Sequence, residues 1–526
     1  MRLPLFFFIF FIQINTFSQQ WLGVAPSNYS GTYGIYSNPA NVADSRYKLF
    51  VNLAGANLDF INNYFGWGAP YSLIGLITNK VSDTYRAPNG AIIFRNSYAD
   101  ESLSNKTSTV FMATDLKGPA LMLNFNKAGF AVGLTSRFRL LANMNNVTTP
   151  VARVLVNGTL LPDIYGVPQD NNHFTMNMNG YAEMGLTLGK IIWQQDEHFL
   201  KAGLTLKRVN GVMNIHYIAN DLDYTIDDIP ARPRKQNVFF ENAAGTYGLT
   251  KSGSIQSVSL NPNWLFGNAS AGHGYGVDVG VVYEYRPEHR QYDIKTKKGW
   301  TTDATKNKYL YKISLALLDF GQIRFNNSNY VYQTNIAKTK VLIPPGTFNK
   351  IDSPEKLFNQ MNNAFGLKDA DYDHEFVSPL PTALSANFDY KFSEKLYLNA
   401  TWIQNLRNTK TIGMNQPSML AFVPRLESKW LELSLPIALQ NNYHNLTVGL
   451  AGRLGPLFIG TDNLAGVLNI GKPKGISAYF GLFLPIFNKL PEPPNPCYSE
   501  RKAGWGQGIR DILQKNKRKR QWRRIR

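Results

Sequence analysis

The chain has 526 residues and one cysteine, Cys497. A single thiol closes no disulfide, so no cross-linked framework holds this sequence together. Charge is scarce too. Asp, Glu, Lys and Arg make up 17% of residues, against about a quarter in ordinary soluble domains. That argues against a large soluble enzyme with helices faced in Glu and Lys. Beyond the first residues no run of about 18 apolar residues occurs, which excludes membrane-spanning helices. Histidine is sparse and scattered: His173, His198, His216, His273, His289, His374 and His444. None sits in a His-Glu-x-x-His pattern. No catalytic residue, metal set or cofactor site is recognisable, and the expectation is a protein that is not an enzyme.

Aromatics and glycine are plentiful, with 27 Tyr, 32 Phe and 42 Gly. Few charges with many Tyr, Phe, Gly and Asn suit a sheet with lipid on one face and a polar interior on the other. The first residues read as an export signal. Arg2 is the positive start, Leu3 to Ile14 are largely apolar, and Thr16 and Ser18 are small residues before a cut that would leave Gln19 first. No cysteine stands just after the apolar run, which argues against a lipid anchor.

Period-2 alternation recurs along the chain, the signature of half-buried strands. Phe130, Val132, Leu134, Phe138 and Leu140 share one face; Ala131, Gly133, Thr135, Arg137 and Arg139 share the other. Comparable windows start at Phe174, Leu200, Tyr275, Leu384, Leu431, Leu446 and Ile476. A soluble sandwich alternates as well, but its strands centre on about 5–6 residues, whereas tilted membrane strands need about 9–11. Connections alternate between tight (Asn126–Gly129, Ser393–Lys395) and long (143–172, 212–270, 327–382). That is the barrel rule of short periplasmic turns and long outer loops. The expectation is an all-β, transmembrane antiparallel β-barrel of about 12–14 strands with long extracellular loops. Pattern alone marks strands from Tyr47 and at 118–126, 129–142, 174–189, 199–211, 275–286, 307–325, 383–392, 396–406, 429–440, 446–461 and 476–487. A further hairpin is sought within 61–117 or 212–270. The domain reading is a signal peptide over 1–18, a lumenal segment over 19–46, the barrel over 47–490, and a Pro-rich linker with a basic periplasmic tail over 491–526.

The inward-facing positions carry the candidate site. Arg137, Arg139, Glu183, Lys201, Lys207, Asp278, Glu284, Arg286, Lys312, Asp389, Glu432 and Arg453 mix both signs. A lumenal ion-pair network is the favoured reading, since buried charges need partners; a cation-rich conduit is the other. Within 327–382, Ser353 as N-cap, Pro354 at the first helical position and Leu357, Phe358, Met361 and Phe365 predict a short helix. It is read as a plain loop helix before a cover over the outer mouth. Asp371, Asp373, His374 and Glu375 could ligate a divalent cation, but a solvated acidic loop is preferred. Gly272, Gly274 and Gly276 precede a strand rather than a helix, so a phosphate-cradling loop is rejected.

The tail is the sharpest charge anomaly. After Pro491, Pro493, Pro494 and Pro496, residues 501–526 hold eleven Lys and Arg against one Asp. They include Arg510, Lys515, Lys517, Arg518, Lys519, Arg520, Arg523, Arg524 and Arg526. The signal peptide argues against nucleic acid as the partner. Strand parity puts the tail in the periplasm, where anionic lipid, the cell wall or an acidic protein would attract it. A solvated tail is the competing reading.

Ser37, Asn38, Pro39 and Ala40, just before the first strand, resemble the Asn-Pro-Ala element near the mature start of FadL-like outer-membrane transporters. Gly274–Tyr285, Ser314–Gly321 and Gly452–Asp462 resemble stretches of a Bacteroidota outer-membrane barrel family of unknown function. That family is distantly similar to FadL and to the PorV-type and PorP-type barrels of type IX secretion. The resemblance covers Gln19 to about Phe487. It implies a FadL-like barrel in the cell outer membrane, with Asn38, Pro39 and Ala40 in a hatch-like segment tucked into the lumen. It also implies passage or capture of a small, hydrophobic molecule. The competing expectation is a non-transporting scaffold of an outer-membrane or type IX secretion complex. An outer-membrane hydrolase ranks far below both.

Overall fold

The computed structural model describes residues 21–492, apart from 104–106, 160, 229–235, 297–298 and 349–350. The expected signal peptide, the first residues of the expected lumenal segment and the basic tail lie outside the described residues. The wall is a closed antiparallel barrel of 14 strands. In chain order they are β1 (Tyr47–Asn62), β2 (Thr107–Lys117, continued by Ala120–Phe125), β3 (Phe130–Thr148), β4 (Phe174–Gln195), β5 (His198–Ile226), β6 (Gly272–Tyr285) and β7 (Tyr311–Phe325). Then come β8 (Phe376–Pro379 and Ala383–Lys391), β9 (Leu396–Asn405), β10 (Met419–Glu427), β11 (Leu431–Ser434 and Ile437–Gln440), β12 (Asn445–Val448 and Leu450–Leu454), β13 (Leu457–Thr461) and β14 (Gly475–Phe487). Each strand pairs with its neighbour along the chain, and β1 pairs with β14 from Tyr47–Phe487 to Ile61–Gly475. Closure leaves no open edge in the membrane, where unpaired backbone groups would cost several kcal/mol each.

Pattern reading placed most of these strands and missed two. Residues 419–427 form β10, too short and too broken by Pro424 to show a long alternation. The window 446–461 is two strands, turned at Gly455, whose φ is +59°. Residues 431–440 therefore climb toward the long-loop end instead of descending. Because two strands were missed, the last strand still ends on the side where the first begins. Among the described residues, the stretches searched for a hidden hairpin supply no wall strand between β1 and Thr107 and none between β5 and β6. The first holds a pair of three-residue strands, Phe65–Trp67 and Ala99–Glu101. The second holds Val238–Thr250, which pairs with the far half of β5 and with Val331–Ile343, extending the sheet beyond the wall.

The outer face is apolar where neighbouring strands meet in register. Leu188 faces Leu204, Leu204 faces Val279, and Val281 faces Leu315, all well exposed. At the short-turn end an aromatic belt follows. Trp193 stacks on His198 and Tyr285 on Tyr311, the latter at 5.2 Å, and Tyr311 stacks on Phe388. An apolar band with such a girdle is the lipid contact of a membrane barrel.

At the long-loop end one contiguous buried cluster joins Leu58, Trp67, Val151, Phe174, Tyr247 and Phe358. The expected helix is there, Pro354–Phe365, with Ser353 Oγ accepting from Lys356 N and Gly366 closing it at φ +63°. Phe358, Met361 and Phe365 are buried in that cluster. The acidic loop disperses among separate contacts: His374 bonds the carbonyl of Val331, and Glu375 pairs with Arg324.

Candidate functional site

The lumen is filled from both ends, in layers. Its floor is the segment Trp21–Arg46, which precedes β1. Trp21 stacks on Tyr33 at 4.5 Å, edges onto Phe458 at 4.9 Å and lies parallel to Tyr479. Val24, Ile35, Val42 and Ala43 complete an apolar cluster with Phe50, Met122, Ala131, Ala451 and Phe483 of the wall. Each aromatic pair adds about 0.5–1.5 kcal/mol beyond its area.

The Asn38-Pro39-Ala40 turn docks on a seat cut into the wall. Ala131, Gly189, Gly203, Gly280, Ala316 and Ser385 lie opposite one another across β3 to β8, forming one row of small residues. A side chain at Gly203 would overlap the Pro39–Ala40 backbone, and one at Gly280 would overlap Asn38. Asn38 Nδ2 donates to the carbonyls of Val281 at 3.1 Å and Leu315 at 3.2 Å, and its Oδ1 accepts from Ala40 N. Below, Lys201 Nζ donates to the Ala43 carbonyl at 2.8 Å, and Arg286 pairs with both Asp44 and Glu284. Burial opposes charge on Asp44, yet Lys308, Arg286 and Arg46 hold its carboxyl well below the usual range. Burial pushes the Lys308 ammonium down to about 8.

The remaining candidate charges fall into two groups. One is a belt at mid-height. Arg137 grips Glu183 through two bonds of 2.9 Å, Arg139 reaches Asp319 at 2.7 Å, and Lys207 reaches Asp278 at 2.7 Å and Asp319 at 2.5 Å. The other lies near the floor: Asp389 takes Arg425 bidentately at 2.7 and 2.8 Å, and Glu432 takes Arg453 at 3.1 Å. Lys312 stands 3.7 Å from Asp389. Each candidate is buried or nearly so and stands within 4 Å of an opposite charge, as buried charges require, though Lys201 and Lys312 lie beyond hydrogen-bond length of their nearest carboxylates.

Pattern reading missed several partners. Asp319 is the hub of the belt, but it sits at φ +52° where two residues of β7 oppose one of β6, so alternation assigns it to the wrong face. Arg425 and Glu427, and likewise Asp115 and Lys117, lie two apart on one strand face; that spacing was a usable signal on strands left unassigned or cut short.

Above the belt apolar side chains enter the lumen, interleaved with the buried Asn143, Asn177, Asn179 and Asn214. Phe111, Leu141, Tyr181, Val209, Ile323 and Phe376 form a buried layer. The loop between β9 and β10 dips onto it. Met414 is buried there, Thr175 Oγ1 donates to Thr409 O, and Gly413 N donates to Asn177 Oδ1. Nothing in the sequence marked this loop, because its hold comes from Thr175 and Asn177, distant in the chain.

The chain belongs to the family of unknown function DUF5723, which matches residues 39–462. The match begins at Pro39, within the docked turn, and runs to Asp462, so the family pattern takes in seat, belt and apolar layer together. Among solved structures, this DUF5723 barrel is similar to a deletion mutant of the TodX monoaromatic hydrocarbon channel (8% identity, 87% of this chain and 95% of that one, TM-score 0.35). It is also similar to a FadL homologue of Pseudomonas aeruginosa (10%, 89% and 98%, TM-score 0.30) and to the toluene transporter TbuX of Ralstonia pickettii (9%, 87% and 94%, TM-score 0.33). At these identities and scores the likeness adds nothing to what the wall itself shows. No curated protein matches the chain.

Proposed function

We propose that this DUF5723 barrel sits in the bacterial outer membrane and passes or captures a small hydrophobic molecule, with Trp21–Arg46 as its hatch. The observation that carries the reading is the buried apolar layer inside the lumen, between the hatch and the outer loops. A channel for polar solutes keeps a wetted polar interior; an apolar layer offers a favourable environment only to an apolar guest. The layer is packed, so a guest must displace the hatch or the β9–β10 loop. In this reading the protein performs no chemical reaction. It reaches the membrane by export and cleavage after Ser18. The Bacteroidota, PorV-type and PorP-type kinship remains part of the proposal.

The test is uptake of a labelled aromatic hydrocarbon by cells whose outer membrane lacks other hydrophobic-molecule channels. The full chain should raise uptake severalfold, and a variant lacking residues 21–46 should alter it. Equal uptake with and without the protein removes the reading.

A lumen filled from both ends also favours a second reading, a scaffold that passes nothing. In that case uptake is unchanged, and proteins captured by the full chain are lost when residues 497–526 are removed.

A further inference from the structure

Between hatch and wall, at the floor, lies a cavity of about 50 Å³. Ser30, Asn41, Asp44 and Arg46 line it from the hatch, and Lys201, Glu284, Lys308 and Lys312 from the wall side. Four cations thus face two carboxylates. Both carboxylates are already taken: Arg286, just behind, holds Glu284 at 2.5 Å and Asp44 at 2.6 Å. Lys308 and Lys312 reach their nearest carboxylates only at 3.8 and 3.7 Å, beyond hydrogen-bond length. The carboxylate nearest Lys312 is Asp389, committed to Arg425 through two bonds.

Surplus positive charge in a buried place is costly without a counter-charge. The volume holds about three or four water-sized groups. Ammonium donors around such a space, with the Ser30 and Ser314 hydroxyls beside them, match a tetrahedral oxyanion, which presents four acceptor oxygens and at least one negative charge.

We propose that this cavity binds a small inorganic oxyanion, phosphate or sulfate, which bridges Lys308 and Lys312 to the hatch and locks the hatch to the wall. The inference does not depend on what the barrel carries.

Equilibrium dialysis of the purified full chain in detergent, with labelled phosphate at constant ionic strength, tests it. One saturable site per chain is expected, displaced by sulfate and not by equal chloride. The double variant K308M/K312M should abolish it, K312M alone should weaken it about tenfold or more, and K472Q, at an exposed lysine, should leave it intact. A saturable rise in Tm of the wild-type chain should accompany binding. If the double variant does not fold, K312M decides. Absence of a saturable site, an unchanged affinity in K312M, or equal displacement by chloride overturns the proposal. Glycerol phosphate stands in for a lipid headgroup; displacement as effective as that by phosphate would overturn the enclosed-ion assignment.

Discussion

Gly280 leaves room for the Asn38 side chain and for no side chain of its own: a methyl group there would overlap Asn38 Oδ1. The hatch therefore depends on a hydrogen atom in the wall. G280A should lift Asn38 from the carbonyls of Val281 and Leu315, at a cost of about 1–3 kcal/mol for overpacking. The barrel itself should survive, because β6 keeps its neighbours. Protease cleavage within residues 21–46 of the folded barrel should rise. G452A, where the added methyl meets only the Glu432 carbonyl at 3.8 Å, should not raise it. Equal cleavage in both variants would separate the hatch from its seat.

Arg425 and Asp389 are both fully buried and joined by two hydrogen bonds. Breaking the pair from one side leaves the other charge stranded, which costs about 3–5 kcal/mol. R425A should lower the urea midpoint strongly. The double variant R425M/D389L should recover much of that loss, since it strands neither partner of the pair. A double variant as unstable as R425A would place the cost outside the pair, in packing or in Glu427 and Lys312, which lose Arg425 and Asp389 as neighbours.

Acid should release the hatch late. The Asp44 carboxyl is held well below its usual range by Lys308, Arg286 and Arg46. A depressed carboxyl contributes stability that is fully present above its unfolded value, about 3.9, and is lost as pH falls through the lower folded value. Hatch protection from an acid protease should thus hold down to about pH 4 and fall below it. D44N should weaken protection already at pH 7 and flatten its decline in acid. A wild-type decline centred near pH 6 would contradict this account.

In the channel reading the β9–β10 loop is the upper constriction. Its hold rests on Thr175 Oγ1 and Asn177 Oδ1. N177A removes a buried acceptor for Gly413 N, worth about 1–3 kcal/mol, and should free the loop without unfolding β4. In planar bilayers the variant should show more frequent or larger current steps than wild type. Identical traces would mean that the hatch alone sets conduction.

Much of the wall was legible because a lipid-facing strand obeys one rule, apolar outward and polar inward, over more residues than a soluble strand offers. β3, β4 and β6 show it plainly. β10 did not, since Pro424 and its short length blur the alternation, and Gly455 hid a turn inside one apparent strand. The inward charges were legible one by one from the same alternation. Their pairing was not, because Arg137 and Asp319 lie far apart in sequence and Asp319 stands on a bulge that reverses its face.

By itself the sequence determined the fold class: absence of cysteine pairs and apolar helices left the hydrogen-bonded, closed sheet as the way to bury backbone in lipid. It also determined most of the side chains that face inward, since period-2 geometry is local; Asp319, on its bulge, is the exception. Only the tertiary structure decided what those side chains meet. Strand register aligned Gly189, Gly203 and Gly280 into a seat for the Asn38 turn, and barrel closure brought the hatch, the charged belt and the β9–β10 loop into one lumen. Register is set by contacts across neighbouring strands, as between Gly203 and Gly280, and closure by contacts from one end of the chain to the other, as between Tyr47 and Phe487, neither of which a local pattern encodes.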